Sequence, residues 1–186
     1  MKPFQKEVNI QFVVILGWVF FFGLNHIINL IAPYKDYISL IFIPAGFKIV
    51  IYCLLKWRAF IGIFIGSILT GHYYLDDNLI HHIYIFAFLS ALSPIIAIYI
   101  VNLISKFGDN LEFLTLSKVM LISFLYALIS SFSHNTFLLG MNEVNFIEYH
   151  QDSLAMFIGD FLGAMIFLSL LSYFRKALIK ISFKFI

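Results

Sequence analysis

The sequence predicts an all-α, polytopic integral membrane protein with six transmembrane helices and both termini in the cytoplasm. Composition is the first reason, because 62% of the 186 residues are apolar and only 12% are charged. Soluble domains carry about 45–50% apolar and about 25% charged residues. A mean hydropathy of +0.96 gives the same result. Most of the surface must therefore face lipid, and membrane lipid is the first partner that the composition implies.

Long apolar segments are the second reason for this fold class. A helix needs about 20 mostly apolar residues to cross the hydrocarbon core of a bilayer. Turn and charge signals near residues 33–36, 56–58, 76–78, 106–110 and 142–152 separate the segments. No gap between them could hold a separate domain, so residues 1–186 form a single transmembrane domain. The predicted spans are Ile10–Ala32, Ile38–Leu55, Phe60–Leu75, Ile83–Ile104, Leu116–Gly140 and Leu154–Phe174.

The distribution of lysine and arginine predicts the orientation. With a cytoplasmic N-terminus, ten of the 12 basic residues fall on the inner side. Only Lys35 falls outside, and Lys48 is the one basic residue within a span. Because cytoplasmic loops are enriched in basic residues, both termini are expected inside. We expect a multi-pass protein of the bacterial cytoplasmic (inner) membrane.

Several classes of function are not supported by the sequence. The single cysteine, Cys53, allows neither a disulfide framework nor a cysteine-based zinc site. The net charge is only +2, and the basic residues do not form a groove interleaved with aromatic residues, so no nucleic-acid partner is expected. No Ser-His-Asp grouping, HExxH motif or phosphate loop is present. We therefore expect no enzymatic activity, no catalytic residue, no metal and no cofactor.

Two ionisable residues lie at membrane depth, where a charge costs roughly 2.5–3.5 kcal/mol on insertion scales. Lys48 in span two and Asp160 in span six fall at similar predicted depths. One interpretation is a structural salt bridge between the two spans. The other is a polar pocket, in which a ligand carboxylate or phosphate engages Lys48 in competition with Asp160.

Pro44, Ala45 and Gly46 interrupt the second span above Lys48. Proline removes a backbone donor and clashes with the carbonyl of Leu40, so the outer half of this helix should be kinked or broken. Broken helices persist in bilayers where irregular backbone lines a cavity or is covered by protein. The break favours a pocket, although a plain proline kink would also explain it.

Polar side chains concentrate toward the outer ends of the spans. His26, Asn29, His72 and His134 would share an outward-opening chamber with Lys48 and Asp160, and this set forms our predicted ligand site. Imidazole can also bind a metal or haem. The histidines are dispersed over different helices without local ligand spacing, however, which favours hydrogen-bonded or interfacial histidines.

Small residues form two ridges at helical spacing, Gly62 and Gly66 in span three and Gly159 and Gly163 in span six. Such ridges allow helix backbones to approach closely in lipid. We expect these glycines, together with Pro44 and Gly46, to lie at packing contacts within the chain. A homodimer contact is the alternative.

Two motifs resemble the first membrane-associated sensor (MASE) family. The first is Ile43–Phe47 followed by the basic turn and small-residue helix of residues 56–67, and the second is the Gly-Asp-x-x-Gly helix at 159–163. The resemblance implies a membrane module that usually precedes a cytoplasmic kinase or cyclase domain. It singles out a set of residues: Pro44, Gly46, Arg58, Gly62, Gly66, Asp160 and Gly163. This chain ends soon after span six, so a signal would have to pass to another protein.

These observations favour a non-enzymatic, sensor-like or accessory module that binds a small ligand in an outer-half pocket, docks a membrane partner, or does both. The partner could be another protein or a second copy of the chain. One alternative is the substrate-binding S-type subunit of a small-solute importer, which has a similar size. Another is a small subunit of a larger membrane complex, in which His26 and His134 could be haem ligands.

Overall fold

The computed structural model describes residues 3–31, 34–35, 38–75, 79–106 and 115–182, and side chains from 4 to 174 within these ranges. The described residues are almost entirely helical, and the only bridge among them joins Lys35 and Ile38. This confirms the all-α, multi-pass fold class. Among the predicted turn residues, 33, 36, 76–78 and 107–110 lie outside the described ranges. The helices are α1 (Pro3–Ile31), α2 (Pro44–Leu55), α3 (Ala59–Tyr74), α4 (Ile83–Ser105), α5 (Leu116–Gly140) and α6 (Phe146–Ser182).

The count of six full-length spans is wrong. Among the described residues, five helical stretches are long and apolar enough to cross a membrane, and Pro44–Tyr74 forms one of them. Within that stretch α2 has only 12 residues, about 18 Å at 1.5 Å per residue, which is too short for a bilayer core of about 30 Å. The predicted span from Ile38 fails because Pro44 takes the first position of the helix, where its missing N–H costs nothing. Residues 38–43 are not helical.

The chain reverses direction at a 3-10 turn, Lys56–Arg58, between α2 and α3. Along α1, Asn25 contacts Ile43 and Gly17 contacts Phe47, so α2 runs antiparallel to α1. Gln11 bonds to the Arg58 carbonyl oxygen at 2.8 Å. Trp18 bonds to Thr70 at 3.1 Å, so α3 runs parallel to α1. We call the end of the bundle that carries residues 34–43 the outer end, following the predicted orientation.

Short helix α2 occupies the centre of the bundle. Its residues Pro44–Ile49 are all buried, and it contacts helices α1, α3, α4, α5 and α6. Irregular backbone such as residues 38–43 is tolerated at membrane depth only where protein or a cavity covers it. The surrounding helices supply that cover here.

The two glycine ridges pack against different kinds of partner. Gly62 and Gly66 lie against Val14 and Trp18 of α1, each 2.6 Å from where an added Cβ would stand. On α6, a Cβ at Gly159 would overlap the carbonyl oxygen of Ser39. Gly163 lies in the same way against the backbone of residue 42. The second ridge therefore packs against non-helical backbone and not against a helix, which the sequence pattern alone could not distinguish.

Gly46 has a third kind of contact. It lies against the side chain of Phe167 on α6, with no room for a Cβ. The first turn of α2 therefore packs closely against α6. The fixed φ of Pro44 suits the start of a helix, and the missing side chain of Gly46 leaves room for Phe167.

Candidate functional site

A cavity of about 620 Å³ lies in the outer half of the bundle and receives lining residues from all six helices. Aromatic and polar side chains together line it. The aromatic residues include Trp18, Phe22, Phe42 and Tyr74. The polar residues include Asn25, His26, Asn29, Lys35, Ser39, Lys48, Ser67, Thr70, Ser90, Ser130, His134 and Asn135.

Four of the six predicted ligand residues line this cavity, namely Lys48, His26, Asn29 and His134. His72 does not, because its position on α3 is exposed and faces away from the bundle. Asp160 is buried beside the cavity and does not line it.

Lys48 is the deepest charged group of the cavity. Its side chain is 1% exposed, and its ammonium nitrogen donates a hydrogen bond to Ser90 Oγ at 2.8 Å. Three aromatic rings surround the same nitrogen: Trp18 at 5.0 Å, Tyr126 at 5.1 Å and Phe42 at 5.5 Å to their centroids. Cation–π contacts of this kind stabilise a desolvated cation by about 2 kcal/mol or more. The rings thus compensate part of the cost of removing the ammonium group from water.

Asp160 does not form the predicted salt bridge with Lys48. The lysine bonds to Ser90, and among the described side chains no Lys48–Asp160 ion pair lies within 4.0 Å. The reason is geometric, because the ring of Tyr126 lies against the ammonium and Asp160 neighbours Tyr126 and Ser130 instead. Because both residues are almost fully buried, their charges still interact at longer range in a medium of low dielectric constant.

Several buried oxygens around the inner end of the cavity have no hydrogen-bond partner in the part of the chain that the structure describes. They belong to Asp160 (Oδ2), Tyr126 (Oη), Ser130 (Oγ), Asn135 (Oδ1) and Ser67 (Oγ). An unsatisfied buried polar group costs about 1–3 kcal/mol. Since three of these residues line the cavity, their polar atoms are placed to meet a polar solute.

Polar contacts also fix the segment before α2. The Asn25 side-chain oxygen accepts a hydrogen bond from the Ile43 amide at 2.8 Å, and its nitrogen donates to Ser39 Oγ at 3.1 Å. Asn29 Oδ1 lies 2.5 Å from the same hydroxyl. A side chain of α1 therefore satisfies an amide at the start of α2, a role that local sequence gives no means of predicting.

His134 is not arranged as a haem or metal ligand. Its Nδ1 lies 2.8 Å from the Ser130 carbonyl oxygen, and its Nε2 lies 3.3 Å from that of Phe86. Both ring nitrogens therefore face backbone acceptors. His26 packs its ring 4.7 Å from the ring of Tyr74. Within the described ranges, no group of three or more His, Cys, Asp or Glu side chains could hold a metal ion.

The mouth of the cavity is tied to α6. Lys35 Nζ forms an ion pair with Asp152 Oδ2 at 2.7 Å, and the hydroxyl of Tyr34 lies 3.4 Å from the other carboxylate oxygen. The sequence analysis placed Asp152 in an outer loop. In the structure it is buried on α6, because that helix begins earlier than predicted.

Sequence reasoning also missed Ser90 and the ring residues Trp18 and Tyr126. The one signal for Ser90 was its polar side chain in the middle of an apolar span. Without the fold, Trp18 and Tyr126 could not be distinguished from aromatic residues that face lipid.

Comparison with known families gives one result. The family model of MASE1, a membrane-associated sensor domain, matches residues 12–183, nearly the whole chain. No curated protein and no solved structure matches the chain.

Proposed function

Because the chain belongs to the MASE1 family of membrane-associated sensor domains, we propose that it is a non-enzymatic sensor module whose outer cavity binds a small acidic solute. Its helices would pass the occupancy of the cavity to a membrane partner. The family and the long apolar helices support a multi-pass membrane sensor domain.

One observation carries the ligand proposal, namely the environment of Lys48. A buried ammonium costs several kcal/mol of desolvation unless a partner compensates it. Here a single serine and three aromatic rings are its partners, and the residue lines a cavity. An anionic solute would place a negative charge in direct contact with the ammonium group, which Asp160 does not do. Binding sites commonly place a few polar groups of this kind among apolar walls.

Helix α6 supports the second half of the proposal. It contributes Met156 to the cavity and Asp152 to the ion pair at the mouth. The same helix receives the backbone of residues 39–42 on Gly159 and Gly163. A solute that shifts this segment would therefore act on α6 directly, and α6 continues as a helix to Ser182.

The test is a thermal-shift screen of small carboxylic acids and their neutral amides on the protein in mild detergent. Acids should stabilise the parent, and Lys48→Met should abolish the shift. Lys6→Met is the matched control, because Lys6 is exposed at the start of α1, far from the cavity, and should keep the parental response. Equal shifts for parent and Lys48→Met, or equal shifts for acids and amides, would contradict the proposal.

A further inference from the structure

We infer that the cavity selects a solute with one negative charge and a flat apolar body, the chemistry of an aromatic monocarboxylate, and that Asp160 sets this selectivity. The inference rests on the proposed function and specifies its ligand. It depends on three features of the cavity: its charge balance, the state of the nearby helix N-terminus and the rings around Lys48.

The cavity offers a single cation at depth. Among the described lining residues the other lysine is Lys35, which lies at the mouth and is paired with the buried Asp152. His134 as a neutral imidazole donates its one N–H to the nearer carbonyl oxygen, that of Ser130 at 2.8 Å, and His26 is exposed and packs its ring on Tyr74. Lys48 can therefore balance one negative charge, whereas a phosphate dianion brings two.

The N-terminus of α2 cannot stabilise the second negative charge of a dianion. Helix N-termini bind phosphate through free amides. Here the Ile43 amide donates to Asn25, and those of Ala45 and Gly46 donate to the carbonyl oxygens of Phe42 and Ile43. Pro44 has no amide hydrogen. This helix end is closed to an anion.

Asp160 places a negative charge behind the floor of the cavity. Asp160 is buried on α6 beside the cavity, and one of its carboxylate oxygens has no hydrogen-bond partner among the described residues, so its charge is poorly screened from the buried Lys48. A second negative charge on the solute would meet this field with no cation to offset it. At an effective dielectric constant of about 20, each added charge about 10 Å from a carboxylate weakens binding by on the order of tenfold.

Rings border the route to the ammonium group. Trp18, Phe42 and Tyr126 lie around Lys48, and farther out the rings of Phe22 and Tyr74 lie 5.2 Å apart. Phe22 and Tyr74 pack on one another, so together with Trp18 and Phe42 they present a continuous aromatic surface on which a flat aromatic body can stack. The hydroxyls of Ser90 and Ser130 can donate to a carboxylate at that depth.

Isothermal titration calorimetry at pH 8 with three probes that share a phenyl ring tests the inference: benzoate with one charge, phenyl phosphate with two, and neutral benzamide. The parent should bind benzoate more than about tenfold tighter than either of the other probes. In Asp160→Asn, phenyl phosphate should gain at least about tenfold more affinity than benzoate does, because the repelled charge is larger. Lys48→Met should remove benzoate binding, and Lys6→Met should leave all three affinities unchanged.

Each outcome separates this inference from the function that it specifies. Equal, Lys48-dependent binding of benzoate and phenyl phosphate would overturn the charge selectivity and leave the acid-binding function intact. A parental preference for benzoate that survives in Asp160→Asn would remove Asp160 as its cause. Failure of every probe would overturn the inference alone if other carboxylic acids still give Lys48-dependent thermal shifts, and both if no acid does. Binding that does not depend on Lys48 would overturn both. The comparison within the parent stands even if Asp160→Asn cannot be purified.

Discussion

The contact between α6 and the segment before α2 predicts that Gly159→Ala is strongly destabilising. The new Cβ would overlap the carbonyl oxygen of Ser39, which is backbone and cannot rotate away as a side chain could. To make room, the segment must move off the helix and lose the 2.9 Å hydrogen bond from the Phe42 amide to the Gly159 carbonyl. Overpacking costs about 1–3 kcal/mol and the lost bond about 0.5–1.5 kcal/mol, together roughly 2–4 kcal/mol.

A matched control distinguishes this effect from glycine replacement as such. Gly23 also lies within a helix, but nothing stands within 4 Å of its added Cβ. Gly23→Ala should therefore be neutral or stabilise by about 0.5–1 kcal/mol through helix propensity. The assay is the melting temperature in one detergent for parent, Gly159→Ala and Gly23→Ala. A drop on the order of 5–10 °C is expected for Gly159→Ala alone. If both alanine variants melt together, the close backbone contact does not exist.

Three further predictions concern topology, helix capping and charge coupling. Reporter fusions after Glu148 and after Ile186 should report opposite sides of the membrane; matching signals would contradict the orientation. Asn25→Ala should lower the free energy of unfolding by about 1–3 kcal/mol, because the half-buried Ile43 amide at the start of α2 loses its acceptor. An unchanged melting temperature would argue against this capping role. In a double-mutant cycle, Lys48→Met and Asp160→Leu should show a coupling of about 0.5–3 kcal/mol, since the charges interact without contact. Strictly additive losses would show that they do not interact.

Composition and hydropathy were enough to predict the fold class, because a helix in lipid must satisfy its own backbone and leaves a long apolar run in the sequence. The same reasoning failed for the second span. Hydropathy cannot distinguish an apolar helix from an apolar irregular segment, and residues 38–43 are irregular. Pro44 indicated a break, but a proline can either kink a helix or begin one, and here it begins α2.

The candidate site was predicted in part, because charged and amide side chains stand out within apolar spans. Lys48, Asn29 and His134 were identified in this way, and all three line the cavity. Trp18 and Tyr126 could not be identified, since in a chain with 19% aromatic residues an individual ring carries no signal. Their role depends on where the ammonium group lies, which only tertiary packing determines.

The short length of α2 explains why a cavity exists at this position. A helix with its side chains is about 10–12 Å wide. Because α2 begins at Pro44, the outer half of its position holds only the non-helical residues 38–43. The glycine ridge holds these residues close against α6, and Asn25 of α1 bonds to them from the other side. The freed cross-section is the space that the cavity occupies, with Lys48 at its floor one turn into the helix. A full-length second helix would fill this space, so the proline and the two glycines of α6 provide the cavity as directly as the residues that line it.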